Sequence, residues 1–222
     1  MQAENTIEPT RTGDSDIYVV AAHPHWQSSR VNRQLRDRAK QLPRTQICDL
    51  YNSYPDFHID RAREQQCLAA AQLVVFLHPI HWYAMPALMK LWVDEVLSFG
   101  WAYGGGQALA GKDLWLVATT GGSEQAYHPS GYNRYFFDAF LPPYEQTAAL
   151  CGMRFLPPLV LHGAHSISEA EVEQHVDVFA QRLQSYPEWP ELADMEMCPG
   201  CVVPMADRPI APEAATAARG DH

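Results

Sequence analysis

Short apolar runs alternate with longer segments of helical periodicity along this chain, and that alternation limits it to one kind of architecture. Residues 17–22 and 73–78 are apolar on both sides of an extended chain and too short for a helix, which is how strands buried in a parallel sheet read. Residues 45–50, 113–119 and a stretch near 159–162 continue the series. Between them fall helical patterns: Val31, Leu35 and Leu42; an Ala- and Gln-rich stretch after Asp60; Leu88, Leu91, Trp92, Val96 and Phe99 after Pro86; and residues 144–150. The last helix opens at Ser168 with Glu171 three residues on, a capping box, and carries Val172, Val176, Phe179 and Leu183 on one side. Five strand-helix units in this order predict a doubly wound, five-stranded parallel sheet of order 2-1-3-4-5 with helices on both faces.

The length of 222 residues suits one core, expected over residues 17–186. Residues 1–16 are polar and lack the apolar stretch of a secretory signal, so they read as a disordered lead-in and the protein as cytoplasmic. Residues 187–222 shift to Pro, Ala, Glu and Asp and read as an irregular tail. The formal charge of −10 gives no drive toward nucleic acid. Five cysteines, an odd count, favour reduced thiols over a disulfide framework. Cys198-Pro-Gly-Cys201 supplies two ligands where a structural zinc needs four, so no metal is expected, and a reversible disulfide or a dimer-linking pair is the better reading. His175 reads as an exposed helix residue and His162 as a strand-end residue.

Ligands of such a sheet bind outside the carboxyl ends of the strands, here the loops after the first, third and fourth. The first loop, residues 23–32, has no glycine and is not a G-x-G-x-x-G turn. It offers Ser28, Ser29 and helix N-terminal amides to a phosphate, with His23 and Arg30 as charged contacts; a plain helix cap by either serine is the alternative. The third loop, residues 78–86, sets Trp82 and Tyr83 on a proline-stiffened turn, a wall for a planar heterocycle or a cover for the sheet end. The fourth loop, Thr119-Thr120-Gly121-Gly122, lets backbone approach a ligand closely, or makes an ordinary turn.

Several stretches then carry a resemblance: Ala22-His-Pro with Ser29 and Asn32, Asp49-Leu-Tyr with residues 54–60, residues 78–83, 86–94 and 100–104, and Thr119-Thr-Gly-Gly122. In these the chain resembles the flavodoxin-like NAD(P)H:quinone oxidoreductases, and within them the cytoplasmic ancillary proteins of glutathione-gated (Kef-type) potassium efflux systems. The resemblance spans residues 17–183. It implies FMN or FAD as cofactor, with His23, Ser29, Val31 and Asn32 around the phosphate. Pro79, Ile80, His81, Trp82 and Tyr83 would line the isoalloxazine, with Thr119, Thr120, Gly121 and Gly122 on its pyrimidine edge.

The resemblance further implies homodimers with shared sites, hydride transfer from NAD(P)H to a quinone-type acceptor, and a transporter partner at the inner membrane. The regulatory role on that transporter is the alternative to the enzymatic one. Gly121, Gly122 and Tyr127 are the candidates for stabilising charge on the reduced flavin. The family's histidine that follows the tyrosine falls near Asn133 and is absent here; His128 and Tyr132 are its possible substitutes.

Overall fold

A computed structural model describes residues 15–197. Its five strands are β1 (Ile17–Ala21), β2 (Thr45–Asp49), β3 (Leu73–Pro79), β4 (Asp113–Thr119) and β5 (Arg154–Leu161), all parallel in the order β2-β1-β3-β4-β5. The expected strand order is therefore present. Register places Ile17 beside Thr45 and Leu73, Leu73 beside Asp113, and Asp113 beside Arg154.

The two-residue period of the strands divides the core into two layers. Tyr18, Val20, Val74, Phe76, Leu114 and Leu116 face one way. There they meet the short α2 (Leu50–Ser53), α3 (Arg61–Ala70), α4 (Ala87–Val96) and α5 (Pro142–Leu150). Ile17, Val19, Val75, Trp115 and Val117 face the other way, against α1 (Val31–Ala39) and α6 (Glu169–Ser185). α6 has the capping box expected at Ser168 and Glu171.

One carboxylate ties the first layer together. Glu64 on α3 is wholly buried and accepts from the Tyr18 hydroxyl at 2.6 Å, the Tyr54 hydroxyl at 2.6 Å and the Trp92 indole N–H at 2.8 Å. Three donors from different elements compensate the desolvation that an unpaired buried charge would suffer.

Several expectations change at the far edge of the sheet. β5 begins at Arg154, not near Leu159; Pro157 and Pro158 look like a break in sequence, but an edge strand tolerates prolines because one side has no ladder to complete. The segment after residue 187, expected as tail, stays packed as far as Met195. Trp189 and Leu192 are buried, Trp189 lies edge-on to Trp115 with ring centroids 4.9 Å apart, and Arg154 donates to the carbonyls of Leu192 and Met195. His175 is buried, not exposed, because the face of α6 that carries Val172, Val176 and Phe179 also carries it.

Cys48 and Cys151 are buried, Cys67 is half-buried, and all three are free thiols; burial pushes the Cys48 thiol up to about 12. Cys198, Cys201, the lead-in up to residue 14 and the tail beyond 197 lie outside the described residues. Among the described residues no helix is long and apolar enough to cross a membrane, and no cluster of His, Cys, Asp or Glu could hold a metal ion.

Candidate functional site

The strand order reverses direction between β1 and β3, so the loops leaving these strands splay apart at their carboxyl ends and open a crevice. The expected residues of the β1, β3 and β4 loops gather at that edge.

From β1 the chain runs through a 3-10 turn (Trp26–Ser28) into α1. Ser29 is buried and its Oγ accepts from the Arg33 N–H at 3.2 Å, capping the first turn. Asn32 is buried too: its Nδ2 donates to Thr119 Oγ1 at 2.7 Å, linking the β1 and β4 loops, while its Oδ1 has no partner. The Val31 side chain belongs to the core, which leaves only its backbone for a ligand. His23 and Arg30 flank this loop in different environments. Desolvation first, then the like charges of His81 and His25, pull His23 down to about 4 and keep it neutral. Arg30 turns away to Glu169 at 2.9 Å and to the Ile167 carbonyl at 2.6 Å, stitching α1 to the start of α6.

The β3 loop is a tight reverse turn. His81 and Ala84 exchange backbone hydrogen bonds at 2.9 and 3.0 Å, so Trp82 and Tyr83 occupy the corner with φ of 49° and 65°. Two bulky residues in the left-handed region cost on the order of 1 kcal/mol each, a strain that persists where a position serves something other than stability. Trp82 is 93% exposed, so its indole stands outside the core. Tyr83 stacks on Phe140 at 5.1 Å and donates to Asn133 Oδ1 at 3.3 Å. Pro79 closes the strand, Ile80 donates its N–H to the Thr119 carbonyl at 2.8 Å, and the His81 ring stands 6.4 Å from that of His23.

The β4 loop is braced from β5. Thr119 and Thr120 are buried, and the Gly122 carbonyl accepts from Thr120 Oγ1 at 2.7 Å and from the Gly163 N–H at 2.8 Å. A Cβ on Gly122 would lie 2.5 Å from the Tyr132 hydroxyl, the far end of an exposed side chain that can swing aside. Gly121 lies beside His165. Tyr127 ends a 3-10 turn (Glu124–Tyr127), is buried among Phe137, Phe140 and His162, and is pushed up by that burial.

Of the substitutes considered for the absent histidine, His128 is exposed and bonded to Ser130, and Tyr132 is 75% exposed. His162 is the histidine that stands beside Tyr127, with ring centroids 5.3 Å apart. Reading the β5 loop as a bare strand end missed it; the signal was a His-Gly-Ala-His stretch, residues 162–165, at the same sheet edge.

A nucleotide-like flavin fits this donor set. Asn32 Oδ1 is a buried acceptor in need of a donor, which ribityl hydroxyls supply, and the first-turn amides of α1 suit a phosphate. The exposed Trp82 and Tyr83 offer a flat aromatic ring its wall.

Fold and site together define an open α/β protein with a ligand crevice at its switch point, and the chain belongs to the flavodoxin-like fold family, which matches residues 15–185. It is 45% identical over 174 residues, 78% of this chain and 91% of the relative, to the glutathione-regulated potassium-efflux system ancillary protein KefG of Pectobacterium carotovorum. A crystal structure of general stress protein 14 of Treponema denticola in complex with FMN is 33% identical, with TM-score 0.72, covering 77% of this chain and 98% of that one. A crystal structure from Klebsiella pneumoniae, described as that of a "putative quinone reductase", is 26% identical, with TM-score 0.65, covering 78% of this chain and 85% of that one.

Proposed function

We propose that this chain is a flavin-dependent NAD(P)H:quinone oxidoreductase that binds FMN in the crevice formed by the β1, β3 and β4 loops. The observation that carries it is the convergence, at one sheet edge, of an unpartnered buried acceptor on Asn32, an exposed aromatic turn at Trp82 and Tyr83, and the braced Gly121-Gly122 turn. The similarity to an FMN complex and to a quinone reductase supports the same reading.

In this reading the amides entering α1, with His23, Ser29 and Asn32, hold the phosphate and ribityl chain. Residues 79–83 and the Thr119–Gly122 stretch line the ring. Bound flavin supplies the chemistry that accepts hydride from a nicotinamide and passes the electrons on. The protein positions donor and acceptor in turn against one face and directs the Gly121 and Gly122 backbone and the Tyr127 hydroxyl at the edge where negative charge builds. A homodimer in which each protomer completes the other's site belongs to this proposal. Steady NAD(P)H oxidation by purified protein supplied with FMN, dependent on added benzoquinone, is the expected outcome. No oxidation with either nucleotide would refute it.

A second reading rests on the 45% identity to an ancillary protein of a potassium-efflux system: the chain docks on such a transporter from the cytoplasmic side and regulates it. Potassium efflux from cells with and without this chain tests it, with efflux unchanged by the chain as the contrary result.

A further inference from the structure

The segment that follows the 3-10 turn at Glu124–Tyr127 doubles back and touches both the β4 loop and the β3 turn. Backbone contacts seat it on the β4 side. A Cβ on Gly131 would lie 2.4 Å from the Gln125 carbonyl oxygen and 2.6 Å from that of Ala126, so glycine is what lets the chain come this close. The Asn133 N–H then donates to the Ala126 carbonyl at 3.1 Å, and the Arg134 N–H to the Gly131 carbonyl at 3.1 Å. On the β3 side the same Asn133 reaches across, its Oδ1 accepting from the Tyr83 hydroxyl at 3.3 Å. The Tyr83 ring also stacks on Phe140, with centroids 5.1 Å apart and planes 22° apart, and Phe140 packs against Tyr127. Tyr83 is thus held at its ring and at its hydroxyl, although it is 45% exposed and sits at a left-handed corner.

We propose that Asn133 is a positioning residue that clamps the aromatic β3 turn to the β4 loop, so that Tyr83 stands as a preformed wall before a flat ligand arrives. A half-exposed tyrosine on a loop otherwise samples several rotamers, and a ligand that stacks on it has to order it on binding. The clamp moves that ordering into folding. Residues 131–134 join the two walls into one unit: backbone contacts fix the segment to the β4 loop, and a single side chain carries that fixation to the β3 turn. The effect on flavin rests on the oxidoreductase reading, whereas the clamp itself does not.

Two measurements test the proposal. In flavin-free protein, trypsin cleavage after the exposed Arg134, mapped by mass spectrometry, is expected to run about fivefold faster in Tyr83→Phe and in Asn133→Leu than in the wild type, because cleavage follows the opened segment. Equal rates overturn the clamp, and Tyr83→Phe, which removes only a hydroxyl, decides the matter alone if Asn133→Leu does not fold. In FMN titrations each variant is expected to weaken binding about fivefold, the scale of ordering one side chain. The double variant is expected to bind no more weakly than either single one, whereas the roughly 25-fold loss of two independent effects overturns the proposal. Asn133→Asp keeps an acceptor for the Tyr83 hydroxyl and is expected to stay within about twofold of the wild type; a loss equal to that of Asn133→Leu overturns it as well. A wild type that binds no FMN refutes the functional reading instead, and the cleavage rates still decide the clamp.

Discussion

Tyr127 and the residues that surround it show how much of the site's chemistry comes from packing. Its hydroxyl belongs to a ring packed against Phe137, Phe140 and His162, three side chains from two segments distant in sequence from the Gly-Gly turn. Removing the hydroxyl alone leaves that packing in place. Tyr127→Phe is therefore expected to keep FMN affinity within about threefold and to lower kcat about tenfold, read by flavin titration and steady-state kinetics. The buried histidines predict a pH response of stability. His23, His78 and His175 are each held at about 4, below the ordinary 6.5, with desolvation the first cause for all three. The unfolded chain takes up protons near 6.5 that the fold refuses until about 4. Their contribution is thus complete above pH 6.5 and is lost as the pH falls toward 4. His78 is fully buried and alone accounts for roughly 3 kcal/mol of that loss. Urea unfolding at pH 7 and pH 4.5 should show it, with a shallower decline in His78→Phe, which keeps an aromatic ring stacked on Tyr144.

At the scale of elements, strained and well-packed segments divide the work. The turn His81-Trp82-Tyr83-Ala84 gives up stability to present an indole, so Trp82→Gly is expected to stabilise the fold by about 0.5 kcal/mol. The same change is expected to weaken FMN binding roughly tenfold by removing the stacking wall; denaturant midpoints and flavin titration check the two halves separately. The segment after α6 does the opposite, since its Trp189 covers Trp115 and lies under Arg182. Trp189→Ala is expected to cost about 3 kcal/mol in chemical denaturation. Local signals made most elements legible in the sequence: the unbroken apolar runs of β1 and β3, the capping box of α6, the aromatic and glycine residues of the β3 and β4 loops. What escaped was decided by neighbours in space. β5 is allowed its two central prolines only because it is an edge, and His162 reaches Thr120 only because β4 and β5 lie side by side.

For the whole molecule, the reversal of strand order between β1 and β3 decides where a ligand goes, and the two helical layers decide how rigidly its loops are held. Glu64 anchors β1 to α3 and α4 beneath the crevice, while Arg30 and Gln34 fasten α1 to Glu169 at the head of α6. The crevice thus sits on a scaffold tied from both faces, the support that a stacked cofactor and two alternating substrates require. The most direct test mixes FMN-loaded protein with NADPH or NADH without oxygen and follows the flavin absorbance band. The account expects the band to bleach and then return when benzoquinone is added. A protein that retains no flavin, or one whose band stays unchanged with both nucleotides, would contradict it.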